Sequence, residues 1–379
     1  MRNILHVVNI SFVIPYFLGE QLLFFRQKGY KEYIVCTSSS ELEGLSQKYK
    51  FEYKVVDILR KISIRKDLCA VFEVIMYIKK MNIDIVTGHT PKGALIAMLA
   101  AFFMKVPVRI YFRHGLVYET SSGIRRRLLI VMDRLAARFA TKVVCVSPSI
   151  CQKSLEDKLN SSFKQILLSK GTCNGIDVER FCKLSINESN LLNLRSELGI
   201  KVSDFVIGFS GRLVKDKGII ELVLAFQQLQ KKYSDIILLL VGMFEERDTL
   251  PDEIVEVIKE NTNIINTGYV ENATIEFYYA LMDIFVLPSY REGFPTSVLE
   301  ASAMELPVIT TRVTGCVDSI IEGETGMFVE HDSCVLATMI EMLYCDEELR
   351  YNYGKMGRKF VVNNFEQHVV WKEIEKLYQ

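Results

Sequence analysis

No Cys-x-x-Cys pair occurs in the 379 residues, and the nine cysteines are odd in number and scattered. That excludes a zinc ribbon and a secreted disulfide framework. It fits reduced, mostly buried thiols, so a cytoplasmic setting is expected. No Gly-x-Gly-x-x-Gly follows the first apolar run, where Val7–Gly19 holds a single glycine, which argues against a dinucleotide-dependent oxidoreductase. No Asp-x-Asp motif occurs either, so a divalent-ion clamp has no obvious ligands. Repeats and low-complexity tracts are missing, and no uncharged run reads as a membrane span. Residues 3–19 lack Asp, Glu, Lys and Arg and follow Arg2, as in a secretion signal. Asn3, His6, Asn9, Ser11 and Pro15 interrupt them, however, and no Ala-x-Ala-like site follows. A buried strand (Ile4–Val8), a loop and a helix start are expected instead.

Net charge is also missing, since 46 Lys and Arg face 46 Asp and Glu. The balance hides an asymmetry. Residues 1–175 carry 27 basic against 13 acidic residues, leaving 19 against 33 in the remainder. A basic first half suits an anionic partner such as a membrane surface or a phosphate-bearing acceptor. It also suits mere attraction between two domains. Nucleic acid is not expected, because its binding wants basic and aromatic residues on one compact module and the acidic second half argues against it.

The length suits two domains. Short apolar runs at Ile4–Val8, Tyr33–Thr37, Ile83–Gly88, Val108–Phe112 and Lys142–Ser147 alternate with helical patterns at Pro15–Lys28, Arg65–Lys80, Pro91–Met104 and Ile124–Ala140. The rhythm restarts at Phe205–Ser210 and continues through Ile236–Val241, Ile264–Thr267, Ile284–Leu287 and Val308–Thr310. Such alternation predicts parallel sheets with helices on both faces. The fold class is therefore α/β, with two Rossmann-like doubly wound domains facing a central cleft. Their expected limits are 1–175 and 176–350, with a polar patch at Ser185–Asn193 near the boundary. Residues 351–379 form an expected helix crossing back to the first domain. Ligands of such sheets bind at the carboxyl ends of the strands.

Two motifs stand at such ends. Gly211-Arg212-Leu213-Val214-Lys215-Asp216-Lys217-Gly218 follows the run Phe205–Ser210. It sets two cations, Arg212 and Lys217, beside a glycine turn and a helix start, a good pyrophosphate site. Pro288-Ser289-Tyr290-Arg291-Glu292-Gly293-Phe294-Pro295-Thr296 follows the run Ile284–Leu287. Here Pro295 suits a first helical turn, whose amides around Phe294 and Thr296 can hold phosphate. Glu292 lies in the loop and Glu300 in the helix, amid the apolar stretch Val298–Met304. One carboxylate can meet a transferred group and the other a ribose.

Glu292-x7-Glu300, with Gly-Phe-Pro between and Pro288-Ser289 before, resembles the signature of glycosyltransferase family 4, as does Gly-Arg-Leu-x3-Lys-Gly. The resemblance extends to Asn174-Gly175-Ile176-Asp177, Gly268-Tyr269-Val270 and Gly323-Glu324-Thr325-Gly326, and so covers nearly the whole chain. It implies the two-domain GT-B fold and a retaining transfer that needs no metal and no other cofactor. It implies that Arg212, Lys217, Gly211, Phe294 and Thr296 bind the donor diphosphate, with Gly19 from the first domain. By the same resemblance Glu292 holds the donor sugar, Glu300 the ribose, and Tyr269 and Val270 the base. His114 matches the family's cleft histidine beside the sugar and is grouped with Glu292 as catalytic.

His89-Thr90-Pro91-Lys92-Gly93, Arg113-His114-Gly115 and Arg125-Arg126-Arg127 are similar to the capsular and lipid-linked polysaccharide branch. That likeness implies a hexose or N-acetylhexosamine moved from a nucleotide sugar, expected to be a UDP-sugar, onto a polyprenyl-diphosphate-linked saccharide. Lys92, Arg113 and Arg125, Arg126 and Arg127 are then expected to meet the acceptor diphosphate or an anionic membrane at its inner face. The sequence departs from the family at Asn9-Ile10-Ser11-Phe12, where two adjacent glycines are usual, and at Glu305, where a glycine usually ends the helix. A non-transferring nucleotide-sugar enzyme of the same architecture, such as a 2-epimerase, is the alternative.

Overall fold

The computed structural model describes residues 2–59, 63–245 and 248–379. It divides into two compact units: one runs to Gly175 and includes Gln367–Gln379, and the other is Ile176–Glu366. The first holds a seven-stranded sheet of β1 (Asn3–Val7), β2 (Lys31–Cys36), β3 (Glu52–Val55), β4 (Ile85–His89), β5 (Val108–Arg113), β6 (Lys142–Cys145) and β7 (Gln165–Leu167), in the order β3-β2-β1-β4-β5-β6-β7. The second holds a six-stranded sheet of β8 (Phe205–Ser210), β9 (Ile236–Val241), β10 (Ile264–Asn266), β11 (Ile284–Leu287), β12 (Val308–Thr311) and β13 (Gly326–Val329), in the order β10-β9-β8-β11-β12-β13. Every pairing is parallel. The cause is visible in β9 and β11, which are buried at every residue. Unbroken Ile, Leu and Val runs suit strands covered on both faces, and parallel neighbours need crossover helices that supply the cover. In each unit the strand order reverses once, between β1 and β4 and between β8 and β11. Such switch points open a crevice at the carboxyl ends.

The structure differs from the sequence reading in three segments. The helix expected over Pro15–Lys28 is split into Ile14–Phe17 and Gln21–Gln27. Gly19 lies between them at φ +47°, where an added Cβ would stand 2.6 Å from the Pro15 carbonyl oxygen. The polar patch Ser185–Asn193 runs into a helix, Glu188–Glu197, started by the Asn187 side chain accepting from Asn190 N. The terminal segment is two helices, Glu347–Phe365 and Gln367–Tyr378, that part at Glu366 and belong to different units. The second buries Trp371, Ile374 and Tyr378, and Trp371 Nε1 donates to the Asn174 carbonyl at 2.8 Å. Glu305, standing where a helix-ending glycine is usual, adopts φ +57° itself. Its carboxylate pairs with Lys355 at 2.9 Å.

Gly218 ties the two motif loops together. It caps the helix Ile219–Gln230 at φ +71°. A Cβ there would stand 2.0 Å from the Pro288 carbonyl oxygen. Both the backbone angle and the contact exclude a side chain. Gly218→Ala is therefore expected to cost about 2–3 kcal/mol and to lower the melting temperature by roughly 5–10 °C. A melt within about one degree of wild type would show that the loops do not need this approach.

Candidate functional site

Both motif loops of the second unit leave the sheet at its switch point. The loop after β8 carries Arg212, Asp216 and Lys217. The loop after β11 carries Ser289, Arg291 and Glu292. Backbone and side chains lock them together. Tyr290 N donates to the Asp216 carbonyl at 2.8 Å, and Arg291 Nη2 reaches the Asp216 carboxylate at 3.1 Å. Lys217 Nζ pairs with Glu292 Oε1, which also accepts from Ser289 Oγ at 2.8 Å. The structure thus joins the expected phosphate cation and the expected sugar carboxylate in one ion pair. Ser289 is buried, and its carbonyl accepts from Thr311 Oγ1 at 2.5 Å and His331 Nε2 at 3.1 Å. The Tyr290 ring stacks on His331 at 3.8 Å. These partners hold the loop from below, and nothing in the local sequence announced Thr311 or His331.

Arg212 is half-exposed and paired with Glu245. Gly211 links it to β8 at φ +154°. The helix Thr296–Ala303 begins after Pro295, which is the N-cap and not the first helical residue, and no side chain caps that end. Its backbone amides with Arg212 and Lys217 provide the charge an anion needs. Phe294 contributes only backbone there, because its ring packs on Phe365 at 5.3 Å.

Glu300 lies in the same helix, half-buried, and accepts from the Tyr279 hydroxyl at 2.8 Å. Burial pushes its carboxyl up to about 7, with Tyr279 and the charge of Arg180 pulling the other way. Arg180 is itself clamped by Glu276 at 2.6 Å and by Asn272. Tyr269 is exposed after β10, while Val270 packs against the core. Among the described residues no group of three or more His, Cys, Asp or Glu is placed to hold a metal ion.

In the first unit His114 follows β5 and joins a buried chain of polar groups. Its Nε2 lies 2.9 Å from His89 Nδ1, and its Nδ1 lies 3.5 Å from Cys173 Sγ. The chain continues from His89 Nε2 to Thr87 Oγ1 at 3.0 Å, to His6 Nδ1 at 2.7 Å, and from His6 Nε2 to Glu32 at 2.8 Å. Phe17 stacks on the His114 ring at 3.7 Å. Burial pushes His114 down to about 3 and His89 down as well. Both rings are therefore neutral hydrogen-bonding groups at physiological pH. His6, Glu32, Thr87 and Cys173 were not legible as site residues, since His6 meets Glu32 and Thr87 only across neighbouring strands and Cys173 meets His114 from 59 residues away.

Two expected acceptor contacts are corrected. Lys92 is buried and bound to Asp67 at 2.7 Å. Arg113 is fully buried, with Asp133 at 2.5 Å and Asn160 at 2.6 Å. Burial works against its charge, and Asp133 and Tyr111 more than offset that. Neither side chain faces a soluble or membrane ligand. Arg125, Arg126 and Arg127 are exposed. Gly19 lies in the first unit beside Asn174 and is held by its own turn, with N donating to the Ile14 carbonyl.

A doubly wound sheet whose switch point carries two cations, a helix start and two carboxylates defines an α/β protein with a polar crevice suited to an anionic ligand. Comparison with known proteins sharpens this. Residues 192–360 match the family model described as glycosyl transferases group 1, and residues 20–161 match glycosyltransferase family 4. The chain is 36% identical to a capsular polysaccharide biosynthesis glycosyltransferase, CapM, of Staphylococcus aureus, over all of this chain and 97% of that one. It is 25% identical to an Escherichia coli UDP-Gal:alpha-D-GlcNAc-diphosphoundecaprenol alpha-1,3-galactosyltransferase, over 91% of this chain and 87% of that one. HepE of Anabaena, solved with UDP and glucose, superposes with a TM-score of 0.82 at 18% identity, covering 99% of each chain. The chain belongs to the family 4 glycosyltransferases and has the GT-B fold of that group.

Proposed function

We propose that this glycosyltransferase moves a hexose or N-acetylhexosamine, with retention, from a UDP-sugar onto a polyprenyl-diphosphate-linked saccharide in capsule or related polysaccharide assembly at the cytoplasmic membrane face. The ion pair of Lys217 with Glu292 at the switch point carries the reading. In it the cation that neutralises a departing diphosphate touches the carboxylate that holds the sugar. Relatives named for capsular polysaccharide and for transfer onto diphosphoundecaprenol support the acceptor class. In the reaction the bond from the sugar's anomeric carbon to the diphosphate oxygen breaks. A bond to the acceptor oxygen forms on the same face, and the acceptor's proton passes to the departing phosphate. Lys217, Arg212 and the amides at Thr296 take up the developing charge, so no metal is required. Full activity in excess EDTA tests that last point, and a loss restored by magnesium would overturn it.

Glu300 gives the donor site a pH signature. Ribose hydroxyls would donate to its carboxylate and favour the charged form, so the bound pKa falls below the free value of about 7. Affinity is then full above that pH and weakens as pH drops through it, by up to about tenfold per pH unit. Measured with UDP on wild type and Glu300→Gln, the difference between the two curves isolates Glu300 from the phosphate's own titration. Parallel curves from pH 5 to 8.5 would remove Glu300 from the ribose.

A further inference from the structure

The buried polar chain of the first unit lies along one face of its sheet. His6 on β1 pairs in register with Thr87 on β4, Glu32 on β2 with Ile4, and His89 on β4 with Phe112 on β5. Side chains two residues apart on a strand share a face. Glu32, His6, Thr87, His89 and His114 therefore stand in a row across β2, β1, β4 and the end of β5. The first four are buried and His114 is half-buried. Among the described residues, the side chains of the row bond only one another, except that His114 also meets Cys173.

Such a row has a direction. The Thr87 hydroxyl has one hydrogen and stands between His6 Nδ1 at 2.7 Å and His89 Nε2 at 3.0 Å. It donates to one and accepts from the other. A neutral imidazole has one N–H and one bare nitrogen, so the choice at Thr87 fixes His89. The 2.9 Å contact of His89 Nδ1 with His114 Nε2 hands it on to His114. Two arrangements result: every hydrogen points toward Glu32, or every hydrogen points toward Cys173.

Glu32 decides between them. The first arrangement needs a bare carboxylate accepting from a neutral His6. Yet Glu32 Oε1 has no hydrogen-bond partner among the described residues, and Oε2 has only His6. A buried net charge held by one hydrogen bond is costly, and burial pushes the Glu32 carboxyl up. The pair is neutral when one hydrogen lies between Oε2 and His6 Nε2, whichever atom holds it, and a second sits on His6 Nδ1. His6 Nδ1 then donates to Thr87, Thr87 to His89 Nε2, and His89 Nδ1 to His114 Nε2. His114 keeps its own hydrogen on Nδ1, 3.5 Å from Cys173 Sγ. A cysteine sulfur is a weak acceptor, so this N–H is free to turn to a stronger one.

We propose that Glu32, His6, Thr87 and His89 are positioning residues that hold His114 as an uncharged Nδ1–H donor to a hydroxyl oxygen of the donor sugar. Such a donor supplies a hydrogen bond without adding positive charge beside a sugar that becomes cationic. Only the use made of this donor rests on the transferase reading; the direction of the row does not.

The test is nuclear magnetic resonance of the full chain labelled with ¹⁵N at its five histidines, which tells a hydrogen-bearing ring nitrogen from a bare one. In wild type, His89 and His114 are expected to carry hydrogen on Nδ1 and none on Nε2. Thr87→Ser keeps the hydroxyl and should leave both unchanged. Thr87→Asp sets an acceptor-only group between His6 and His89. His89 should then move its hydrogen to Nε2, and His114 should follow, although Thr87 bonds only His6 and His89. In that variant kcat/KM for sugar transfer should fall by about tenfold, with affinity for UDP, which lacks the sugar, within about threefold of wild type. Hydrogen on Nε2 of His89 or His114 in wild type would overturn the proposal. So would a folded Thr87→Asp chain in which His89 changes and His114 does not, or in which both change and kcat/KM holds. Should Thr87→Asp fail to fold, the wild-type and Thr87→Ser spectra still decide the direction. The expected wild-type spectrum without any sugar transfer would strike the transferase reading and leave the row standing.

Discussion

Glu292→Gln is expected to lower kcat by about 10²–10³-fold while leaving UDP affinity within about threefold. The reason lies in what Glu292 touches. Its Oε1 receives Lys217 and Ser289, and the amide keeps an acceptor oxygen for both. In the proposed reaction, nucleotide contacts through Arg212 and the helix start at Thr296 would stay in place. What would be lost is the negative charge beside a sugar that becomes cationic as its bond to the diphosphate breaks. Glu300→Gln is expected to do the reverse, weakening UDP with less effect on turnover. Lys217→Ala should damage both, because it removes a phosphate cation and leaves the Glu292 carboxylate without that partner beside incoming phosphates. Steady-state kinetics together with equilibrium UDP titration separate these patterns. Equal losses of turnover and affinity in both glutamine variants would refute the division of labour.

Asp133→Ala is expected to destabilise the first unit by about 3–5 kcal/mol, because it strands a fully buried guanidinium. Arg113 donates to Asp133 through Nε and Nη2, and Tyr111 donates its hydroxyl to the same carboxylate at 2.9 Å. Removing the acid leaves three donors and a charge in the core. A fall in melting temperature of roughly 10 °C follows. Asp133→Leu combined with Arg113→Met should recover much of that, since no buried charge is left unpaired. If the double variant is as unstable as the single, the loss comes from packing and not from the stranded charge. Because Arg113 immediately precedes His114, the pair also fixes the strand end from which the buried histidine chain starts.

The second unit's site was legible because its chemistry is local. Glycine, cation and carboxylate follow each other within two short stretches, and each stretch follows an apolar run that could only be a buried strand. The alternation of runs likewise carried the α/β class. Other features depend on distant residues. Glu32 meets His6 only because β1 and β2 pair in register, and a lone histidine in an apolar run shows no partner. Lys92 and Arg113 read as ligand-facing cations because sequence does not say which way a side chain at a helix start or a strand end turns. Their partners Asp67 and Asp133 lie 20 or more residues away. The helix Glu188–Glu197 has no buried residue and hence no apolar period to reveal it. Strand β3 is an edge strand with mostly exposed residues, which hides the alternation that marks strands. The exposure of Phe72 and Phe103 was invisible for the opposite reason, because an apolar helix residue is assigned to the core by default.

The most direct test of the account is the melting temperature of the wild-type chain with UDP, GDP, ADP and NAD, repeated on Lys217→Ala. At about a hundred times its dissociation constant, a nucleotide that binds only the folded chain adds about 2.7 kcal/mol, or roughly 5–10 °C for a unit of this size. Such a rise is expected with UDP, none with ADP or NAD, and a much smaller UDP effect in the variant. A rise with NAD alone, or none with either UDP or GDP, would contradict it.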